Sequence, residues 1–210
     1  MLELYGFNES RSHRTLWALE ELGVEYQYTN LNFMKGEHKS PEFLAKNPGG
    51  KVPVLIDNGF ALAESAATVT YLADKFPEKN LVPKAGTKER ALYGQWIAFV
   101  ISELEQPLWT MGRHKFIYPE NKRIPQVMEL ALWEFDNQLK ILAEGLGDNN
   151  YMVGNQFSMI DIMIVHTVSW ARKFQVPIGD EKVNKYADSL LERDAHKRVL
   201  AVYEKYPNQQ

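Results

Sequence analysis

A loop with two serines lies between the first predicted strand and the first predicted helix. It covers residues 5–14 (YGFNESRSHR) and places Ser10 and Ser12 at the helix start. Unpaired backbone N–H groups and the helix dipole favour an anion at such a position. Ser10 could donate a hydrogen bond to a thiolate there. Ser12 could take the same role or cap the helix, so the choice stays open.

Two further segments carry recognition chemistry. In residues 47–53 (NPGGKVP), a cis bond before Pro53 would turn the backbone of Val52 outward, where an extended peptide could pair with it. At Glu64 and Ser65 another helix begins, and its N–H groups suit a carboxylate while Glu64 could take an ammonium. This pair of sites fits the head group of an α-amino acid. Taken singly, each segment also fits an ordinary turn or cap.

Composition excludes several function classes. The chain has 210 residues, 45% of them hydrophobic, which is typical of one large or two small globular domains. A net charge of −3 without a basic run argues against nucleic acid as a partner. The sequence also has no long apolar stretch and no basic leader, so we expect a cytoplasmic protein without a membrane partner.

Cysteine is absent from the chain. This excludes disulfides, cysteine-ligated metals and a thiol nucleophile supplied by the protein. Any thiol chemistry must therefore use the sulfur of a ligand, and the sequence indicates no metal.

Hydrophobic periodicity divides the chain into two predicted domains. Residues 1–77 follow the order β-α-β-α-β-β-α, an α/β pattern, and residues 78–88 hold prolines and a glycine typical of a linker. Residues 89–210 are predicted to be all helical. The predicted strands are 2–5, 25–31, 52–56 and 60–63, and the helices beyond the first domain are roughly 88–111, 123–144, 158–174, 183–192 and 195–205.

Four segments in this order resemble the cytosolic glutathione transferases, a family with a thioredoxin-like domain followed by an all-helical domain. The segments are 10–23 (SRSHRTLWALEELG), 36–43 (GEHKSPEF), 47–53 (NPGGKVP) and 60–65 (FALAES). In the second half, residues 156–161 (QFSMID) resemble the helix-capping motif of the family, with Ser158 as the cap and Asp161 reaching back. The resemblance is closest to the serine-type classes, meaning theta, delta and related bacterial or fungal forms.

The resemblance implies a role for each residue of the glutathione site. Ser10, with Ser12 as the alternative, would hydrogen-bond the glutathione sulfur. The remaining contacts would be His38 and Lys51 at the glycine end, Val52 and the cis Pro53 at the cysteinyl backbone, and Glu64 and Ser65 at the γ-glutamyl end.

Four positions bear on how closely the chain follows the serine-type pattern. Asn8 and Glu9 replace the Pro-Gly common before the delta-class serine, and Gly50 stands where delta members carry a second histidine. Tyr5 lies close to the position of the catalytic tyrosine in tyrosine-type relatives, but one residue early. We therefore expect Tyr5 to pack against the sheet.

The resemblance implies an enzyme of detoxification that conjugates the glutathione thiolate to small hydrophobic electrophiles. Glutathione peroxidase is a predicted side activity, and a homodimer is the expected assembly. By position, the electrophile site would include Trp109, Met111, Arg113 and Phe116 of the helical domain, with His114 beside them. The alternative is a non-catalytic glutathione or ligand carrier, or a regulator, of the same fold.

Overall fold

The computed structural model describes residues 1–208 and contains two compact units. Of the described residues, the first unit comprises Met1–Val82 together with 191–208, and the second comprises Pro83–Leu190. The predicted boundary between residues 77 and 89 lies near the first of these junctions. The end of the chain is assigned differently, because the last helix packs on the first unit.

The first unit is built on a four-stranded mixed sheet with the order β2-β1-β3-β4. Strand β1 runs parallel to β2 and antiparallel to β3, and β3 is antiparallel to β4. The predicted order β-α-β-α-β-β-α and the thioredoxin-like fold class are confirmed. The elements are β1 (Leu2–Gly6), α1 (Ser12–Leu22), β2 (Tyr26–Asn30), α2 (Pro41–Leu44), β3 (Val54–Asp57), β4 (Phe60–Ala63) and α3 (Ser65–Lys75).

Strand β3 is buried along its whole length because both faces of the sheet are covered. Leu55 pairs with the buried Leu4 of β1. Val54 and Ile56 join a cluster with Leu31 and Phe43, and Phe43 belongs to α2. This double coverage explains the continuous apolar sequence of β3.

The last helix, α9 (Asp194–Lys205), packs along α1 in the same unit. Arg193 forms a bidentate pair with Glu21, at 2.6 and 2.8 Å, and the carboxylate of Glu21 is almost fully buried. Arg198 reaches Glu20 at 2.8 Å. Two arginines of the C-terminal region thus hold it against the end of α1.

The second unit is entirely helical apart from its turns. It contains α4 (Lys88–Phe99), α5 (Gln106–Gly112), α6 (Val127–Leu146), α7 (Met159–Lys173) and α8 (Glu181–Leu191). Helix α7 is buried on nearly all sides, as its apolar sequence predicts. No helix among the described residues combines the length and apolar character needed to span a membrane.

The prediction of one helix over residues 88–111 is wrong. Helix α4 ends at Phe99, a π-helical turn covers Val100–Leu104, and α5 starts with Pro107 in its first turn. Proline lacks the N–H that an uninterrupted helix would use there, so its position in the first turn of α5 favours a new helix start. The apolar periodicity concealed this break.

The predicted capping motif at the start of α7 is confirmed. Asp161 accepts hydrogen bonds from the backbone N–H of Ser158 at 2.7 Å and of Met152 at 2.8 Å. The hydroxyl of Tyr186 donates to the same carboxylate at 2.6 Å. Burial raises the pKa values of both Asp161 and Tyr186. The motif therefore ties the preceding loop, α7 and α8 together.

We expect Asp161→Asn to lower the free energy of unfolding by about 2–4 kcal/mol, because an amide turns an N–H₂ group toward buried donors. Urea denaturation measures the change. Asp180→Asn is the matched control, since Asp180 accepts the N–H of Val183 at 2.9 Å and asparagine caps a helix equally well. Equal stability of the two variants would contradict a special role for Asp161.

At the end of β3, Asp57 accepts hydrogen bonds from Tyr71 and Lys75 of α3. These two bonds lower the pKa of Asp57. A carboxyl group with a lower pKa in the folded state than in the unfolded state stabilises the fold above its ordinary pKa of about 4. That stabilisation is lost as the pH falls through the folded-state pKa.

We therefore expect Asp57→Asn to lower stability at pH 7 and to reduce the loss of stability between pH 7 and pH 3. Urea midpoints at the two pH values provide the measurement. Asp148→Asn removes the exposed pair with Lys182 and serves as control, with little expected change. An unchanged pH dependence in Asp57→Asn would rule out the assigned linkage.

Candidate functional site

The two candidate serines have different surroundings in the loop between β1 and α1. The hydroxyl of Ser10 donates to the carbonyl of Phe7 at 2.6 Å and lies 2.7 Å from the hydroxyl of Ser12. Ser12 accepts the N–H of Phe7 at 3.1 Å and is 1% exposed, whereas Ser10 is half-buried. Ser12 thus holds the loop from inside, and Ser10 has the hydroxyl that a ligand can approach.

Two backbone features shape this loop. A Cβ added to Gly6 would stand 2.8 Å from the ring of Tyr28 and 2.9 Å from the Cβ of Ser12, so only glycine fits. Glu9 has a φ of 66°, in the left-handed region that non-glycine residues rarely adopt. The residue directly before Ser10 therefore needs support from its surroundings.

The segment before β3 has the predicted cis bond between Val52 and Pro53. The strand ladder begins at Val54, so half-buried Val52 lies just outside the sheet. Asn47 shapes the preceding turn, with its Nδ2 donating to the carbonyl of Lys51 at 2.8 Å and its Oδ1 accepting the N–H of Gly49 at 3.0 Å. Sequence reasoning missed Asn47 as an organiser, although Asn-Pro-Gly is a turn signal.

His38 and Gly50 lie together in this unit. Gly50 has a φ of 58°, and a Cβ there would stand 2.9 Å from the carbonyl oxygen of His38. A second histidine at position 50 therefore does not fit this backbone. The ring of His38 stacks on Phe33 with centroids 4.1 Å apart. Burial, with a smaller effect of Lys39, lowers the pKa of His38, which favours the neutral imidazole.

The start of α3 contacts an arginine of α1 that sequence reasoning missed. Ser65 is the first residue of α3, is 4% exposed and accepts a hydrogen bond from Arg14 at 3.2 Å. The side chain of Arg14 is fully buried, and Glu64 is exposed with a φ of 69°. A guanidinium behind a helix N-terminus adds positive potential to an anion site. In sequence, Arg14 looks like an ordinary surface residue of α1.

Tyr5 packs against the sheet, as predicted. Its ring lies 6.1 Å from that of Phe43, and its hydroxyl is 3.4 Å from the carboxylate of Glu3. Burial and the charge of Glu3 raise the pKa of Tyr5. A tyrosine that activates a thiol needs the opposite electrostatic environment, so the structure disfavours a tyrosine-type site.

The predicted electrophile residues lie in the helical unit, where an aromatic cluster extends from α5 to α7. Trp109 and Phe116 contact the rings of Trp170 and Phe174, with centroids 6.5 and 6.0 Å apart respectively. Met111 is buried, while Phe116 is 60% exposed. The structure thus brings Trp109 and Phe116 into one cluster, and Met111 belongs to the core.

Two cationic or titratable candidates border this cluster. The guanidinium of Arg113 lies 5.7 Å from the ring of Trp109 and 5.8 Å from that of Tyr118. It also donates to Thr110 at 3.1 Å. His114 accepts the N–H of Ile124 at 3.1 Å, so its Nδ1 holds the following loop. The ring of His114 also lies 5.0 Å from that of Tyr118, and the guanidinium of Arg113 borders both Trp109 and Tyr118.

The family model "Glutathione S-transferase, N-terminal domain" matches residues 1–74, and "Glutathione S-transferase, C-terminal domain" matches residues 106–194. "Glutathione S-transferase 1" of Schizosaccharomyces pombe is 30% identical over 80% of this chain and 73% of its own length. The chain belongs to the glutathione S-transferase family. This confirms the predicted family and, with it, a glutathione transferase that takes glutathione as co-substrate.

Further relatives match nearly the whole length of this transferase. "Glutathione S-transferase F10" of Arabidopsis thaliana is 29% identical over 97% of this chain and 98% of its own. The solved structure of the glutathione transferase URE2P6 from Phanerochaete chrysosporium, in complex with oxidized glutathione, superposes with a TM-score of 0.84 at 28% identity. That comparison covers 97% of this chain and 96% of the other. The theta/delta-like class, the homodimer and the cytoplasmic location stay predictions.

We expect Ser65→Ala to raise the dissociation constant of glutathione about tenfold, which corresponds to roughly 1.4 kcal/mol, because an anion loses one hydroxyl donor. The buried Arg14 loses an acceptor as well, so the free energy of unfolding should fall by about 1–3 kcal/mol. Isothermal titration and urea denaturation measure the two effects. Ser102→Ala is the control, since Ser102 is exposed and bonds only within its own helical region. An unchanged glutathione affinity in Ser65→Ala would argue against this anion site.

Proposed function

We propose that this transferase activates glutathione with the hydroxyl of Ser10 and transfers the thiolate to small hydrophobic electrophiles. The observation that carries the proposal is the different burial of the two serines in the β1–α1 loop. Both hydroxyls bond to the backbone of Phe7, but Ser10 is half-buried and two residues before α1, while Ser12 is buried. The proposal places the chain among the serine-type enzymes, with a theta/delta-like class as the expected subclass.

Glutathione would lie along one side of the sheet unit. Its γ-glutamyl carboxylate would meet Ser65 and the start of α3, with the charge of Arg14 behind, and its ammonium would meet the exposed Glu64. The cysteinyl backbone would pair with Val52 beside the cis Pro53, as an added strand.

The glycine end of the tripeptide would meet His38 and Lys51. Lys51 is exposed and its carbonyl is fixed by Asn47, so the ammonium is free to move toward a carboxylate. The neutral imidazole favoured for His38 can donate one hydrogen bond without a net charge. Lys51 would therefore supply a positive charge for the glycine carboxylate, and His38 would supply a directional hydrogen bond.

The energy required for activation is modest. A free thiol has a pKa of about 8.5, and lowering it by about two units takes roughly 2.7 kcal/mol. One hydroxyl bond to an anion contributes about 1.5–3 kcal/mol, and a helix N-terminus adds about 0.3–1 kcal/mol. Ser10 and the start of α1 together supply this amount. To donate to the sulfur, Ser10 must exchange its bond to the carbonyl of Phe7, and the hydroxyl of Ser12 is close enough to donate to Ser10 in turn.

In the transfer itself, the thiolate sulfur forms a bond to an electrophilic carbon, and the electron pair of the broken bond leaves with the departing group. Trp109, Phe116 and Arg113 of the helical unit are the proposed electrophile contacts, and Arg113 would favour acidic electrophiles. A role in detoxification, a peroxidase side activity and a homodimer in the cytoplasm belong to the same proposal.

The deciding experiment follows the ultraviolet absorbance of the bound glutathione thiolate against pH. In the wild type we expect a thiol pKa near 6.5, about two units below the free value, and in Ser10→Ala a return to about 8.5. The rate of conjugation to 1-chloro-2,4-dinitrobenzene at pH 6.5 should then fall about 50- to 100-fold, in line with the lost thiolate and the lost contact.

Ser12→Ala tests the alternative serine. We expect it to lower stability while leaving the pKa of the bound thiol below that of free glutathione. Reversion of the pKa in Ser12→Ala alone would move the catalytic assignment to Ser12. A wild-type protein that binds glutathione without lowering its pKa would be a carrier or regulator rather than an enzyme.

A further inference from the structure

The C-terminal segment Tyr203–Asn208 contacts the loop that carries Ser10. We infer that this segment is a part of the thiol-activating site, because it holds Asn8 and Glu9 in the positions from which Ser10 faces the ligand. The inference rests on the proposed role of Ser10 and adds positioning residues from the opposite end of the chain. These residues act through the loop and are not proposed to touch the sulfur.

Tyr203 supports the strained residue of the loop. Its hydroxyl accepts the backbone N–H of Glu9 at 3.2 Å and lies 2.8 Å from Nδ1 of His13. Burial raises the pKa of Tyr203, so its hydroxyl stays neutral and can serve both contacts. Because Glu9 has a left-handed backbone, a bond to its N–H helps to keep a conformation that the residue would otherwise leave.

Asn8 connects the loop to the residues after α9. Its side chain is buried, with Nδ2 donating to the carbonyl of Tyr206 at 2.6 Å and Oδ1 accepting the hydroxyl of Tyr28 at 2.7 Å. The backbone N–H of Asn8 donates to the side chain of Asn208 at 3.2 Å. All these bonds join the loop to β2 or to the C-terminal segment.

A second asparagine fixes the C-terminal segment itself. Asn30, at the end of β2, donates to the carbonyl of Tyr206 at 2.9 Å and to that of Pro207 at 3.1 Å. The segment therefore lies between the end of β2 and the loop. Both asparagines donate to the same carbonyl of Tyr206, so a shift of the segment would move the acceptor to which Asn8 donates.

The anchoring of α9 is separate from these contacts. Arg193 and Arg198 hold α9 to the far end of α1 through Glu21 and Glu20. The residues after Lys205 are thus not needed to dock α9. Their removal should loosen the loop and leave the helix in place, which makes positioning separable from overall stability.

The test compares the full-length protein with a chain ending at Lys205 and with Tyr203→Phe. Hydrogen exchange of the peptide covering residues 7–11, in the absence of glutathione, reports the loop directly. We expect at least tenfold faster exchange in both variants. Tyr26→Phe is the matched control, because it removes the hydroxyl bond to Glu20 in the same unit, away from the loop.

The catalytic consequence is measured on the same proteins. We expect the pKa of bound glutathione to rise by about one unit and kcat at pH 6.5 to fall about fivefold to tenfold. The KM for glutathione should change less than threefold, since the contacts at α3 and Val52 are intact. Tyr26→Phe should leave the thiol pKa and kcat at their wild-type values.

Asn8→Ala tests whether loop and segment act as one unit. Combined with the chain ending at Lys205, it should raise the thiol pKa by less than the sum of the two separate changes, because both remove the bond between Asn8 and the carbonyl of Tyr206. Additive effects would overturn the inference. So would unchanged loop exchange and an unchanged thiol pKa in the truncated protein and in Tyr203→Phe.

The two proposals fail in distinguishable ways. If the wild type does not lower the thiol pKa, the role of Ser10 fails, whatever the exchange data show. If the wild type lowers it and the truncated protein does so equally, Ser10 is retained and the positioning role is rejected. Loss of thermal stability without any change in loop exchange or thiol pKa also rejects it.

Discussion

The burial of α1 between α3 and α9 is the constraint on which the sheet unit depends. On one side, Thr15 bonds Thr68 of α3 at 2.7 Å and Arg14 bonds Ser65. On the other side, Glu20 and Glu21 pair with the arginines of the C-terminal region. A helix fixed along both flanks gives its N-terminus a defined position, and the loop with Ser10 is attached to that N-terminus.

Two helix starts and one buried arginine provide the positive potential of the proposed glutathione site. The chain carries a net charge of −3, so its overall charge cannot be the source of a positive potential. The potential is local and comes from backbone N–H groups and Arg14. Such fixed groups need no rearrangement when an anion arrives, so the proposed activation requires only a single hydroxyl for the remaining stabilisation of a thiolate.

The helical unit owes the arrangement of its aromatic cluster to a break in the chain. Pro107 starts α5 after the π-helical turn, and the helix then presents Trp109 toward Trp170. The break matters because side chains before and after it no longer follow one helical periodicity. Arg113 follows Trp109 by four residues, a spacing that places two side chains on the same helix face, and its guanidinium lies over the ring of Trp109.

The sequence alone determined the family, the order of elements in the first domain and the capping box at Ser158. These features depend on short-range patterns: strand alternation, turn residues, and a carboxylate three residues after a helix cap. Pro107 is also a local signal, but it was outweighed by the apolar periodicity around it.

Only the tertiary structure showed that Ser12 is buried and Ser10 half-buried, because burial depends on what packs against the loop. It also assigned Arg14 to Ser65 and the C-terminal segment to Asn8, partners 51 and about 200 positions apart in the chain. Contacts between distant segments leave no local pattern in a single sequence, and the environment of a polar side chain is decided by such contacts.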